Sequence, residues 1–188
     1  YSDEQDLRSG VSQNTGGIQV DVSYSDVQTT EEFSAETSGG GDSIYVASGE
    51  PFSTSSAGYL FGNGSSDNST ITFDFSANGG SGYLDEVKNV SFRISDIDGL
   101  SDGANDFQDI VTVTAFDSDG NPVPVTVTPG SGMTVSGNTV TGNLTNTSPN
   151  TAQGSALFEI AGPVAQIVVE YDNGGDTQQA VYFSDVHF

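Results

Sequence analysis

Apolar residues recur at every second position in segment after segment of this chain, and that period commits it to β-structure. Ile18, Val20, Val22 and Tyr24 alternate with Gln19, Asp21 and Ser23. Ile71, Phe73 and Phe75 alternate with Thr72 and Asp74, and Val90, Phe92 and Ile94 with Ser91, Arg93 and Ser95. The pattern continues through Val123, Val125 and Val127, then Ala156, Phe158 and Ile160, then Ile167, Val169 and Tyr171. It closes with Ala180, Tyr182, Ser184, Val186 and Phe188. Successive side chains of a strand point to opposite faces, so strict alternation puts one face in a core and the other in water.

Segment 110–116 (IVTVTAF) has the character of a central strand. Turn signals separate the runs: Gly62-Asn63-Gly64, Asn78-Gly79-Gly80, Asp119-Gly120, Ser136-Gly137-Asn138 and Asn173-Gly174-Gly175. Roughly ten short strands at such spacing predict an all-β fold, an antiparallel β-sandwich or jelly-roll-like architecture with long loops. No stretch shows helical periodicity, and residues 28–43 and 142–154 read as long loops. Residues 1–17 are polar and aperiodic and read as an N-terminal arm, leaving 18–188 as a single sandwich domain. At 188 residues the chain can bury a core without disulfide or metal staples.

The charge excludes whole classes of function. Three basic residues against 26 acidic ones give a formal net charge of −23. Nucleic acid is excluded as a partner, because phosphates need a basic patch and the chain offers only Arg8, Lys88 and Arg93. Docking on an anionic membrane is disfavoured for the same reason, and no apolar run is long enough for direct membrane insertion. Cysteine is absent, and with it disulfides and thiol chemistry. So acidic a chain, with a single lysine, fits an extracellular, saline or calcium-rich setting in which divalent cations offset self-repulsion. A start at Tyr1 rather than Met fits a processed, secreted protein.

The densest cluster of hard oxygens lies between two strong strands. Asp96, Asp98, Asp102, Asn105, Asp106 and Asp109 fall within fifteen residues that also hold two glycines. Calcium takes six to eight oxygens on a bendable loop, so these six residues are the candidate metal ligands, with Ca2+ as the cofactor. Asp117-Ser118-Asp119-Gly120-Asn121 begins like an EF-hand loop, but the twelfth position is Thr128 where a bidentate Glu is required. A turn at Asp119-Gly120 explains those residues better. Gly79-Gly80-Ser81-Gly82-Tyr83-Leu84-Asp85 has one residue too many for a calcium-binding nonapeptide and stands as a single copy.

The residues argue against an enzyme. His187 is the lone histidine and sits in the last alternating run, no cysteine nucleophile exists, and no general acid/base pair stands out among the carboxylates. For ligand contact, Tyr45, Tyr59 and Tyr83 are the candidates, on loops at one end of the sandwich.

The run from Val90 to Gly99, the segment 109–128 (DIVTVTAFDSDGNPVPVTVT), the run Gly137 to Gly142 and the tail from Ala161 to Phe188 together resemble β-sandwich modules of large bacterial surface proteins, namely RTX-type adhesins and related secreted proteins of marine bacteria. The resemblance covers about residues 58–188 and lacks the RTX repeats themselves. It implies an extracellular, calcium-bound β-sandwich that works by cohesion or ligand binding. Two functions follow as expectations. In the first, the chain is a self-assembling structural or adhesive subunit of a bacterial cell-surface fibre or matrix. Copies of itself are then the partners, and segment 1–24 donates a strand to a neighbour's exposed edge. In the second, it is a calcium-dependent adhesin module for glycans or peptides.

Overall fold

The computed structural model describes residues 2–26, 32–37, 43–64 and 68–188. In chain order the strands are β1 (Gln5–Asp6), β2 (Val11–Asn14), β3 (Ile18–Asp26), β4 (Glu32–Glu36), β5 (Ala57–Asn63), β6 (Asn68–Ala77), β7 (Val90–Ser95) and β8 (Gly99–Ser101). They continue as β9 (Asp106–Phe116), β10 (Thr126–Thr128), β11 (Met133–Ser136), β12 (Thr139–Gly142), β13 (Ala156–Ile160), β14 (Gln166–Asn173) and β15 (Gln178–Ser184). A single 3-10 turn, Ala152–Gly154, is the helical content among the described residues.

The strands form two antiparallel sheets stacked as a sandwich. One runs β1-β4-β5-β15-β7-β13-β10; the other runs β11-β12-β9-β14-β6-β3-β2, with β8 paired to β9 off that path. Alternation works as the sequence requires in most runs, but the last one is in the opposite phase. Val181 and Phe183 of β15 face the core, and Ala180 and Tyr182, read in the sequence as the apolar phase, lie on the outward face, because Val181 pairs with inward Leu60 and Tyr182 with outward Tyr59. Phe33, Leu60, Val181, Phe183, Phe92, Ile94 and Phe158 face inward from the seven-stranded sheet, and Val20, Ile71, Phe73, Ile167, Val169, Val111 and Val113 face them from the eight-stranded one. Phe183 joins the layers: its ring lies 4.7 Å from Phe92 in its own sheet and 5.3 Å from Phe73 in the other.

Two departures from the sequence pattern have simple causes. The run Val123–Val127 becomes a strand only over Thr126–Thr128, because Pro122 and Pro124 have no N–H to offer a ladder. Strand β5 shows little alternation because Gly58 and Gly62 hold inward positions. A Cβ on Gly58 would come within 3.1 Å of the Phe33 ring, so the glycine makes room for that side chain.

The segment 28–43, read as a loop, contains β4 (Glu32–Glu36); of its other residues only 37 and 43 are described. The described part of the N-terminal segment forms the outermost strand of each sheet. β1 pairs with β4 and β2 with β3, and residues 7–10 carry the chain across the edge of the sandwich. Leu7 is buried there, and its N–H donates to the Phe33 carbonyl at 2.8 Å.

Residues 43–56 form a strap over the outward face of the seven-stranded sheet. Arg93, which points outward from β7, is only 6% exposed. Its Nε and Nη2 donate to the two carboxylate oxygens of Glu50 on the strap at 2.6 and 2.7 Å, and its Nη1 donates to Ser155 Oγ at 3.1 Å. Asp185 fastens the far end of the strap, accepting from the Ser53 N–H at 3.1 Å and the Ser56 hydroxyl at 2.9 Å.

Candidate functional site

The β8–β9 hairpin decides what becomes of the acidic cluster. Gly99 pairs with Gln108 and Ser101 with Asp106, so Asp98 and Asp109 meet at the base of the hairpin while Asp102, Asn105 and Asp106 sit at its tip. At the tip the three residues are exposed and occupied with turn geometry. Asp102 Oδ1 accepts from the backbone N–H groups of Ala104 and Asn105 at 3.0 and 2.8 Å. These bonds hold its carboxyl below the ordinary carboxylate range. The backbone of Asp106 bonds instead to Thr177.

At the base, two carboxylates lie inside the protein. Asp98 is 1% exposed and Asp109 0%. Asp109 Oδ1 accepts the Tyr171 hydroxyl at 2.7 Å, and its Oδ2 accepts the Asp98 N–H at 3.0 Å. The Gln179 amide bridges the pair, donating to Asp98 Oδ1 at 2.9 Å and to Asp109 Oδ2 at 3.1 Å. Asp98 Oδ2 also accepts the Thr147 N–H. Gly142 closes over this turn so tightly that a Cβ there would lie 2.2 Å from the Asp98 carbonyl oxygen.

Burial raises the pKa of both carboxyls, of Asp109 most strongly, because the charged form loses its hydration. It raises that of the Tyr171 hydroxyl as well, with the Asp109 carboxylate adding to the shift. Asp96 stands next to this pair in a left-handed backbone conformation, φ 68°. Its Oδ1 is buried without a hydrogen-bond partner. Burial, with the Asp98 charge second, lifts its carboxyl to about 7. Arg93 is committed to Glu50, Arg8 to Asp6, and Lys88 is exposed, so this acidic trio has no basic side chain in an ion pair with it.

The six predicted ligands are thus divided between two places. Among the described residues no group of three or more His, Cys, Asp or Glu side chains is arranged to hold a metal ion. The oxygens of Asp98 and Asp109 are largely taken up by N–H and O–H donors. Gln179, Tyr171 and Thr147 were not singled out in the sequence. The signal for Gln179 is its phase: it holds an inward position of β15, in step with Val181 and Phe183.

The predicted tyrosines lie in three settings. Tyr45, on the strap, stacks on the Arg93 guanidinium, 5.1 Å from carbon to ring centroid, and its N–H donates to the Pro149 carbonyl. Tyr83 is 64% exposed on the loop after β6, beside the 74% exposed Leu84. Tyr59 belongs to an aromatic strip on the outward face of the seven-stranded sheet. Its ring lies 5.3 Å from that of Tyr182 across the ladder and 6.2 Å from that of Phe61 two residues along. Register makes this strip, since Tyr59 pairs directly with Tyr182. Amide and carboxylate side chains border it: Asn63 and Gln178, joined at 2.9 Å, and Glu32, opposite Phe61 on β4. Lone His187 packs its ring against Phe52 at 5.5 Å.

No protein-family model matches this chain, and no curated protein does. Solved structures with a similar course of the chain include the enzymatically active domain of bacteriophage CBA120 tailspike protein 4, at 8% identity and a TM-score of 0.40 over 88% of this chain and 18% of that one. The glucan-binding protein C of Streptococcus mutans, reported to mediate adherence, matches at 10% identity and a TM-score of 0.43 over 89% of this chain and 51% of that one. The family 11 xylanase of Neocallimastix patriciarum matches at 8% identity and a TM-score of 0.31 over 95% of this chain and 94% of that one. The chain spans about a fifth and about half of the first two proteins. At such identity the likeness concerns the fold and not its chemistry. Among the described residues no helix is long and apolar enough to cross a membrane.

Proposed function

We propose that this chain is a non-enzymatic, extracellular β-sandwich module that binds neutral glycans through the aromatic strip of Tyr59, Phe61 and Tyr182. The strip is the observation that carries the proposal. Half-buried rings are set side by side on the outward face of the sheet, Tyr59 and Phe61 within 21° of parallel and Tyr182 tilted by 54° from Tyr59. They offer apolar contact to the C–H faces of sugar rings, while Asn63, Gln178 and Glu32 at the margin supply donors and acceptors for hydroxyls. The strap beside it is fixed by the Arg93–Glu50 pair, so this side of the sheet is held rigid. The resemblance to modules of bacterial surface proteins agrees with an adhesive role. Lone His187 is packed against a phenylalanine, and Asp98 and Asp109 lie in the interior, which favours binding over catalysis.

The test is affinity electrophoresis against a panel of soluble neutral polysaccharides, with a peptide array beside it. Tyr59→Ala combined with Tyr182→Ala should weaken glycan binding about tenfold or more while the far-ultraviolet spectrum is kept. Binding to peptides alone, or a folded double variant that binds glycans like the parent, overturns the proposal.

A second proposal, a calcium-mortared subunit that assembles with its own copies, draws on Asp96. Its unpartnered, buried oxygen beside two further carboxylates is where a cation would relieve repulsion. Strand donation by residues 1–24 would require β1, β2 and β3 to leave their own sheets. Light scattering and thermal melts in millimolar calcium and in chelator test it. A compact monomer with the same melting curve in both rules out calcium and assembly together.

A further inference from the structure

We infer that the seam between the two sheets, on the side closed by the N-terminal strands, is a binding site for a small uncharged apolar molecule: a single aromatic ring or a short alkyl chain carrying a hydroxyl. This inference is independent of the glycan-binding proposal and concerns a different part of the molecule. A cavity of about 240 Å³ lies there, walled by Leu7, Val22, Phe33, Ala35, Phe73 and Phe183. These residues come from both sheets and from the crossing between β1 and β2, so the cavity is a gap between the layers that the N-terminal crossing partly encloses.

Its size sets it apart from a packing defect. Protein interiors hold few voids larger than a water molecule. An engineered apolar cavity of ~150 Å³ stays dry and takes up benzene. The present cavity is larger, and most of its lining is apolar. Water at the polar margin finds partners there, but against the six apolar side chains named above it finds none, so that part of the cavity favours an apolar occupant.

The polar residues of the lining define the class of ligand. Gln13, Thr15, Thr37 and Ser56 are uncharged and retain contact with solvent. Gln13 and Thr37 can donate to or accept from a hydroxyl, and Thr15 and Ser56, whose own protons go to the Ile18 carbonyl and to Asp185, can accept from one. Asp185 is the charged residue of the lining, and its two oxygens already accept from Ser53 and Ser56. No basic side chain lines the cavity, and the chain carries a net charge of −23, so an anionic head group is repelled. A cationic head group would gain from that charge, but would lose hydration on entering an apolar seam. An uncharged ligand avoids both costs.

The experiment uses the intact chain and three probes: 4-fluorobenzyl alcohol observed by fluorine NMR, 1-hexanol as competitor, and hexanoate as the charged control. The expected result is saturable binding of the fluorinated alcohol, its displacement by 1-hexanol, and about tenfold weaker displacement by hexanoate. Ala35→Leu and, separately, Val22→Phe put carbon into the cavity and should each weaken binding about tenfold or more in protein that still melts cooperatively. Absence of saturable binding to the parent protein at millimolar probe overturns the inference. So does undiminished binding in either folded variant. If neither variant folds, the competition between hexanol and hexanoate decides: equal displacement by the two overturns the assignment to an uncharged ligand.

Discussion

Asp96 couples the stability of the protein to pH, with a sign and size that follow from its surroundings. Its carboxyl titrates at about 7 in the folded chain against 3.8 in the absence of structure, because burial and then the Asp98 charge disfavour the ionised form. Between those two values the folded protein holds this proton and the unfolded chain does not. The contribution is therefore fully present below pH 4 and is lost as the pH rises through 7. A rise of roughly three pH units is worth about 4 kcal/mol at most, and partial exposure to solvent brings the expected figure nearer 2 kcal/mol. Asp96→Asn removes the charge and keeps both the shape and the tolerance for the left-handed backbone, φ 68°. In chelator at pH 8 the variant should melt about 5 °C higher than the parent, and at pH 4.5 the difference should shrink to about half of that or less. The measurement is a series of circular-dichroism melts from pH 4.5 to 8. The net charge of −23 also favours the folded state on acidification, but it acts on both proteins almost equally, so the difference between them isolates Asp96. Identical pH slopes in the two proteins, or a variant that melts lower at pH 8, would refute the reasoning.

Other parts of the fold make equally definite demands. Glu50→Ala leaves the buried Arg93 guanidinium with the Ser155 hydroxyl and the Tyr45 ring but no counter-charge and should cost about 3 kcal/mol in denaturant melts, freeing the strap to early proteolysis. Gly142→Ala forces a Cβ against the Asp98 backbone, where no flexible side chain can yield, and should lower stability by about 3 kcal/mol or more by the same assay. Asp117→Ala removes the acceptor of the Asp119 and Asn121 N–H groups and should cost about 1 kcal/mol, whereas Asp119→Ala should stay within about 0.5 kcal/mol. Raising the salt from low to high should leave binding of a neutral glycan unchanged, as measured by affinity electrophoresis, because the aromatic strip contributes contact rather than charge.

How much of this was legible in the sequence depended on which faces carried side chains. Strands such as β3, β6, β7 and β14 announced themselves because both phases are filled, apolar inward and polar outward. β5 stayed hidden because its inward phase is partly glycine, needed beneath Phe33. The strands β1, β2 and β4 are short edge elements whose apolar residues are too few to show a period; only the buried Leu7 and Phe33 betray them. The acidic segment was legible as composition but not as geometry. Six oxygen-bearing residues in fifteen look like one loop around one cation. The hairpin register divides them, with every residue from Gly99 to Ser101 paired back onto β9. Asp98 and Asp109 are placed by that pairing, and their partners Tyr171 and Gln179 come from strands more than sixty residues along the chain, a distance that no local spacing can encode. The same limit applies to the aromatic strip. Tyr59 stands out in the sequence, but its alignment with Tyr182 is a product of strand pairing.

The charge of the chain and the location of its apolar surface bear on one another. Most of the carboxylates among the described residues keep contact with solvent, where water and salt screen them, and their common sign disfavours close approach of two copies. Against that background the two places offered to ligands, the aromatic strip and the seam between the sheets, have no basic residue to attract an anion. The one buried arginine in the seven-stranded sheet is neutralised by Glu50 within its own fold. If the two proposed sites bind ligands, such a surface would discriminate by exclusion, turning acidic polysaccharides, phosphates and anionic lipids away at long range. Neutral molecules would approach without that penalty and be held by contact area. The three carboxylates at the base of the β8–β9 hairpin are the exception to the solvated majority. Two of them, Asp98 and Asp109, are buried and Asp96 is half-buried beside them, so that part of the molecule is the one whose stability is expected to answer to protons or to an added cation.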